Sequence, residues 1–230
     1  MMKIKILFLK LFLFFIILSG NSFAKNIPPG SGIADVPANV LILLDKSGSM
    51  NARMVSGSGF YYPQGVAADG NGNVYAGQIS TRGIKKILDS TKNADPNWGR
   101  GGIYFGSGQC RAYYVYSMEV HGDYLYAVSY YGHSVFRIHT TTGVCDYSER
   151  VRYAYNLAIG NNKLYAFGRY RNYTTWNLSG AKPSKISCSV SVNYWLYYES
   201  GSAVDPSGNY YYAAYGRNLY RHKIDNNGCI

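Results

Sequence analysis

The sequence has few charged residues, which make up only 15% of its 230 positions. Acidic residues are the scarcest of these, with 12 Asp and Glu against 23 Lys and Arg, for a net charge of +11. Disordered chains and coiled coils are both rich in charge, so the composition argues against both classes. Tyrosine (25) and glycine (26) are abundant instead. This combination favours many short strands joined by tight turns.

After residue 24 the sequence contains no apolar run long enough to span a bilayer. The first 24 residues begin with a basic segment that contains Lys3, Lys5 and Lys10, and an apolar run over 11–18 follows. They end in a cleavage-site pattern of the signal-peptide type, whose last residue is Ala24. This is the plan of a cleaved secretory signal peptide, with an uncleaved membrane anchor as the alternative. We therefore expect an exported protein located in the periplasm, at the cell surface or outside the cell.

The remaining chain keeps 20 basic and 12 acidic residues, a net charge of +8. Such a charge could attract nucleic acid, anionic lipid or acidic polysaccharide. An exported protein rarely meets nucleic acid, and the basic residues are scattered along the sequence. We expect a protein or an acidic surface ligand as partner, and not nucleic acid.

The four cysteines form no CxxC motif, which argues against a structural zinc site. An even number of cysteines in an exported chain predicts disulfides. Their spacing of 35, 43 and 41 residues suggests one cysteine in each unit of a repeat, but it leaves all three pairings open. The four are Cys110, Cys145, Cys188 and Cys229.

Four segments of the sequence resemble one another. Each predicts a strand, a turn of Gly, Asn or Asp, and a second strand with a Tyr-Ala landmark. The landmark tyrosines are Tyr75, Tyr126, Tyr165 and Tyr212. Units of about 40 to 50 residues with three or four short strands are typical of β-propeller blades.

The first and fourth segments resemble the NHL repeat family. The matching phrases are Pro-Gln-Gly-Val-Ala-Ala-Asp at 63–69 and Ala-Val-Asp-Pro-Ser-Gly-Asn at 203–209. The resemblance implies a mainly β fold: a partial propeller of about four NHL-like blades over residues 59–230, continuing beyond the end of the chain. A β-sandwich of tandem hairpins is the alternative.

A different signal precedes the repeats. An apolar run at 40–44 predicts a strand buried on both faces, and it leads directly into Asp45-Lys-Ser47-Gly-Ser49-Met. The pattern resembles the first strand and metal-ion-dependent adhesion site of the von Willebrand factor A domain family. The resemblance implies that Asp45, Ser47 and Ser49 hold Mg2+ or another divalent cation, because hard cations prefer oxygen ligands.

Residues 25–58 would form only the start of such a domain. The family continues into a helix and further strands, whereas here a Gly/Ser linker at 55–59 leads to the repeats. Either the propeller is inserted into an A domain that resumes beyond residue 230, or the A-domain piece is a vestige. We favour the insertion, and on that interpretation this chain is the N-terminal part of a longer protein.

The tyrosine-rich units at 113–116 and 210–212 could line a binding face or pack between blades. Two sets of tyrosines are distinguished further by their position in the repeat. The landmark tyrosines share one strand position and are expected to pack between blades. Four irregular tyrosines follow the predicted strands in loops and are candidates for a recognition surface. They are Tyr130, Tyr131, Tyr170 and Tyr173.

The combined pattern predicts an adhesion or binding protein that uses a metal site and a propeller surface. The pairing of an A domain with a propeller resembles type IV pilus tip (PilY-like) surface adhesins, which implies a pilus or cell-surface partner. The alternatives are an exported propeller enzyme of the lyase or lactonase type and a purely structural scaffold. No nucleophile elbow supports an enzyme, and the four histidines lie at different phases of the repeat.

Overall fold

The computed structural model describes residues 60, 62–79, 83–168, 172–188, 201–215 and 218–230. Residues 1–24 and the predicted metal loop at 45–49 lie outside these ranges. The described residues form fifteen strands and a single 3-10 turn at Gly108–Cys110. No helix among them has the length and apolar character that crossing a membrane requires. The predicted mainly β character is confirmed.

The strands form four antiparallel sheets, each built from neighbours in sequence. The first sheet contains β1 (Pro63–Ala68), β2 (Val74–Gln78), β3 (Ile84–Ile87) and β4 (Ile103–Tyr104); the second contains β5 (Val115–His121), β6 (Tyr124–Ser129), β7 (Ser134–His139) and β8 (Cys145–Arg150). The third contains β9 (Ala154–Gly160), β10 (Lys163–Gly168), β11 (Asn172–Asn177) and β12 (Ser184–Ile186); the fourth contains β13 (Gly201–Val204), β14 (Tyr210–Tyr215) and β15 (Asn218–Lys223).

The turns between first and second strands follow from local chemistry. The Asp69 carboxylate accepts hydrogen bonds from the backbone N–H groups of Asn71 and Asn73, at 2.9 and 3.0 Å. Gly72 supplies the left-handed backbone (φ 79°) that closes the turn. In the fourth sheet Asp205 accepts from Tyr210 N at 2.7 Å. The predicted strand, turn and strand pattern is confirmed.

Three apolar cores separate the four sheets, one between each consecutive pair. Leu125 and Ala127 face the core shared with the first sheet, and Tyr126 and Val128 face the core shared with the third. Both faces of β6 are therefore buried, as alternation along a strand requires. The landmark tyrosines of the first three sheets are all buried as predicted (Tyr75, Tyr126 and Tyr165), and Tyr212 is partly buried.

The first strands of successive sheets lie side by side in the order β1, β5, β9 and β13. β1 approaches β5 so closely that a Cβ on Gly65 would lie 3.1 Å from Ser117 N. Side chains of β5 bond to the edge of β9: Ser117 Oγ accepts from Leu157 N at 3.2 Å, and Glu119 accepts from Ile159 N at 2.6 Å. These bonds satisfy edge groups that no strand pairs. The described part of the chain is propeller-like, and its four sheets do not form a closed ring.

The disulfides resolve the pairing that the sequence leaves open. Cys110 bonds to Cys145, and Cys188 bonds to Cys229. In each pair one cysteine follows the last strand of one sheet, and the other follows the turn after the third strand of the next sheet. As expected, each repeat contains one cysteine, but the cysteines of successive repeats alternate between these two positions in the sheet. One disulfide therefore joins sheets one and two, and the other joins sheets three and four.

Polar contacts hold the junction between the second and third sheets. Arg137 is buried and makes two bonds to Asp146, at 2.7 and 2.8 Å. Its guanidinium also donates to the backbone carbonyl of Ala181, in the turn between β11 and β12, at 2.7 Å, and lies 3.9 Å from the Tyr124 ring centroid. This buried arginine therefore ties the second sheet to the third through charge-assisted hydrogen bonds.

Candidate functional site: a tyrosine surface

Seven tyrosines form one continuous cluster, which we call the tyrosine surface. Five come from the connection between β4 and β5, the loop between β6 and β7, and the connection between β8 and β9, and the other two lie at the starts of β5 and β9. The members are Tyr113, Tyr114, Tyr116, Tyr130, Tyr131, Tyr153 and Tyr155. In an antiparallel meander these connections all lie at the same end of the sheets, where the first strands begin.

The rings contact one another within and between sheets. Tyr131 lies 5.5, 4.8 and 4.9 Å from the ring centroids of Tyr113, Tyr114 and Tyr130. Tyr116 of the second sheet stacks on Tyr155 of the third at 4.6 Å. Tyr131 is 48% exposed, and the other members of the cluster are partly buried. Edge-to-face and offset contacts of this kind hold aromatic rings in fixed positions.

A tyrosine with a strained backbone precedes the first strand of each of the first three sheets, and two of these three tyrosines belong to the cluster. Tyr62, Tyr114 and Tyr153 have left-handed backbones with φ of 45°, 56° and 51°, and each directly precedes the first strand of a sheet. Bulky residues rarely adopt this conformation, and such strain concentrates at functional sites. The carbonyls of Tyr62 and Tyr114 accept from Ile79 N and Tyr130 N, the residues that follow the second strand of each sheet.

Ser129 positions the two loops of the second sheet. Its hydroxyl donates to Tyr113 O at 2.9 Å and accepts from Tyr113 N and Gly132 N at 3.1 and 3.2 Å. A Cβ on Gly132 would lie 2.3 Å from Ser129 Oγ, so the loop tolerates only glycine there. The tyrosine surface is therefore held by buried polar contacts below it.

The charge of this end of the sheets is positive. The guanidinium of Arg111 lies 4.9 Å from the Tyr113 ring and that of Arg152 lies 5.7 Å from the Tyr153 ring, and Arg150 is exposed. The segments 111–117, 129–134 and 150–156 contain no acidic residue. The turns at the other end carry Asp69, Asp123 and Asp205 instead.

Two ionisable groups at this end of the sheets, one in the cluster and one beside it, have shifted pKa values. Burial and the neighbouring tyrosines raise the pKa of Tyr116. Burial, together with Arg150 and Arg152, lowers the pKa of His133. Both shifts favour the uncharged form of the group, so the positive charge of this surface comes from the arginines.

A depression of about 390 Å³ adjoins the tyrosine surface. Its lining is Phe105, Gly106, Ser107, Gly108, Arg111 and Ala112. Phe105 is 41% exposed and offers an apolar face to the depression. Arg111 belongs to both features, because it lines the depression and stacks on Tyr113. The two features form one continuous surface.

The structure places two of the four tyrosines that the sequence singles out in this cluster, Tyr130 and Tyr131. Tyr173, predicted to lie in a loop, lies within β11 instead. Its hydroxyl accepts from Thr175 Oγ1 at 2.7 Å and from Ile230 N at 2.9 Å, so it helps to close the core between the third and fourth sheets. Tyr170 lies outside the described residues.

The sequence indicates Tyr113, Tyr114 and Tyr116 as part of a tyrosine-rich unit that could line a binding face, but sequence reasoning missed Tyr153 and Tyr155. A local signal exists in the repeated phrases Tyr114-Val115-Tyr116 and Tyr153-Ala154-Tyr155, which occupy the same position in two units. The candidate ligands Asp45, Ser47 and Ser49 fall outside the described residues. Among those described, no group of three His, Cys, Asp or Glu side chains could hold a metal ion.

Comparisons with known proteins establish the fold only. No family model matches the chain, and no curated protein matches its sequence. A hydrazine synthase from Kuenenia stuttgartiensis is similar in structure, with a TM-score of 0.54, 12% identity, and coverage of 76% of this chain and 50% of that one. The chain thus spans half of the length of that protein.

Two further structures are similar. A gluconolactonase from Xanthomonas campestris has a TM-score of 0.50 and 14% identity, over 73% of this chain and 60% of that one. The extracellular domain of a protein described as a hybrid two component system from B. thetaiotaomicron has a TM-score of 0.52 and 13% identity, over 76% and 22%. These similarities support a propeller-like fold.

Proposed function

We propose that this chain belongs to an exported binding protein that contacts its partner through the tyrosine surface. The observation that supports the proposal is the continuous contact of seven tyrosine rings, edged by arginines and free of acidic side chains in the three segments that form it. Tyrosine and arginine dominate the energetics of protein recognition surfaces, because both offer large contact area with a polar group.

Two disulfides support the exported location. Disulfides persist in oxidising compartments, and the first 24 residues of the sequence have the pattern of a signal peptide. The proposal includes a propeller of NHL-like blades and attachment at a cell surface, in the manner of pilus-tip adhesins. An acidic partner suits the charge of the tyrosine surface.

The first test replaces the most exposed tyrosine of the cluster. We expect Tyr131→Ala to weaken attachment of the exported protein to intact cells or matrix of its source by about 2 kcal/mol, as for an aromatic hot spot. The bound fraction of fluorescently labelled protein is the measurement. Tyr210→Ala is the control, because Tyr210 is a partly buried tyrosine beside an arginine (Arg221, 4.7 Å) in the fourth sheet and lies outside the cluster. Equal retention of both variants and the parent would contradict the proposal.

The proposal keeps the metal site as a separate part. Asp45, Ser47 and Ser49 would hold Mg2+, which would complete an adhesive contact with an acidic group of the partner. We expect Asp45→Ala in the full natural chain to weaken Mg2+ binding at least about tenfold, because the site loses its charged ligand. Isothermal titration with Mg2+ alone is the measurement.

The control for this experiment is Asp123→Ala, which removes an aspartate from the turn between β5 and β6. This variant should bind Mg2+ like the parent. Mg2+ affinity that does not change in Asp45→Ala would remove the metal from the proposal and leave the tyrosine surface unaffected.

A further inference from the structure

We propose that the tyrosine surface and the adjoining depression bind an acidic polysaccharide, with Arg111 pairing a uronate carboxylate of the chain. This inference rests on the proposed function and specifies its ligand class. Three features of the described residues point to such a ligand: the continuity of the two surfaces, the placement of the charges and the chemistry of the rings.

The continuous surface that the depression and the tyrosine rings form together fits a narrow, extended ligand. One segment, 105–112, forms the whole depression, and Arg111 connects it to the ring of Tyr113. Two of its lining positions are glycines, so a ligand can approach the backbone closely. From Tyr113 the aromatic contacts continue through Tyr131 to Tyr130 and Tyr153, at 5.5, 4.9 and 5.2 Å.

The charges are arranged along the same path. Arg111 lies at the beginning of the ring series, and Arg152 lies beside Tyr153 at the other end. Arg150, the last residue of β8, is also exposed. A guanidinium binds a carboxylate through two parallel hydrogen bonds, and several carboxylates on one chain could engage several arginines. Repeated acidic units therefore match this surface better than a single acidic group does.

The tyrosine rings would contact the sugar rings of the polysaccharide, in addition to the contacts of the arginines with its carboxylates. A pyranose ring has an apolar C–H face and a polar edge, which match the face and the hydroxyl of a tyrosine. Tyrosine offers this amphipathic contact at a small loss of conformational entropy. An acidic polypeptide would meet the arginines equally well, but its flexible carboxylate side chains have no such face to place on the tyrosines.

The experiment uses the exported, disulfide-bonded chain and three polymers as probes. These are polygalacturonate, poly-L-glutamate of matched charge and neutral dextran, compared by isothermal titration at constant salt. We expect polygalacturonate to bind at least about tenfold more tightly than poly-L-glutamate and dextran not to bind measurably. Equal affinity for the two acidic polymers would overturn the inference, because charge alone would then explain binding.

Two substitutions locate the site. Arg111→Gln should weaken polygalacturonate binding about tenfold or more, and Tyr131→Ala about fivefold or more. Arg221→Gln is the matched control, since it removes the same charge from an arginine that also stacks on a tyrosine, and it should change affinity less than about twofold. Equal weakening by Arg111→Gln and Arg221→Gln would overturn the inference in favour of diffuse attraction. Near-ultraviolet circular dichroism confirms that each variant is folded.

The inference and the proposed function fail in different ways. If Tyr131→Ala reduces attachment to cells but no variant affects polygalacturonate binding, the ligand class is wrong and the binding surface stands. If Tyr131→Ala changes neither measurement, both proposals are overturned.

Discussion

Replacing Cys110 and Cys145 together by serine should lower the free energy of unfolding by about 4 kcal/mol. The bond closes a loop of 35 residues, and the chain-entropy relation assigns about this value to a loop of that size. Urea denaturation followed by tryptophan fluorescence is the measurement. Trp98 is a suitable probe, because it is fully buried in the core between the first two sheets.

The second disulfide provides the control for this experiment. Cys188 and Cys229 enclose 41 residues, so their replacement should cost a similar amount. The two pairs should differ in their effect on binding. Cys110 directly precedes Arg111, and we expect loss of its bond to weaken ligand binding at the tyrosine surface, whereas loss of the other bond should not. A change in unfolding free energy below about 1 kcal/mol for both pairs would show that sheet packing alone holds the junctions.

The stability of the protein should fall as pH rises between about 4.5 and 8 because of Glu119. Burial raises the pKa of this carboxyl from 4.5 to about 8, although the bond from Ile159 N partly opposes the shift. In the unfolded chain the group ionises near its ordinary value. The folded state keeps its proton over the interval, so the stabilisation is complete below pH 4.5 and is lost by about pH 8.

A substitution isolates this contribution. Glu119→Gln keeps an oxygen that can accept from Ile159 N and removes the charge. At about pH 8 we expect the variant to be more stable than the parent by about 3 kcal/mol, less than the full linkage value because the side chain keeps some contact with solvent. At about pH 4 the two proteins should differ by less than about 1 kcal/mol.

The measurement is the difference in unfolding free energy between variant and parent at the two pH values. The difference is needed because other groups titrate in the same interval. Burial lowers the pKa of His222, and burial with two arginines lowers that of His133, so both favour the folded state at high pH. A difference that does not change with pH would show that Glu119 is ionised in the folded protein.

The strands and turns of each sheet could be predicted from the sequence, because interactions between near neighbours in the chain specify them. Asp69 and Gly72 specify a turn through bonds and backbone angles between near neighbours, and the same pattern recurs at Asp205. The Tyr-Ala landmarks mark the second strand of each sheet, and in the first three sheets the landmark tyrosine is buried. These features depend on neighbours in sequence, so the four repeats and their landmark positions could be read directly.

The tertiary structure decided which distant residues meet. The cysteine spacing is nearly uniform, so only the placement of consecutive sheets shows that Cys110 pairs with Cys145. Tyr116 and Tyr155 are 39 positions apart in the sequence but stack at 4.6 Å, because the first strands of adjacent sheets lie side by side. The sequence determined the repeating strands and turns, since their bonds are short-range. The disulfide pairs, the burial of Glu119 and the tyrosine surface arise from contacts between sheets, which no local pattern encodes.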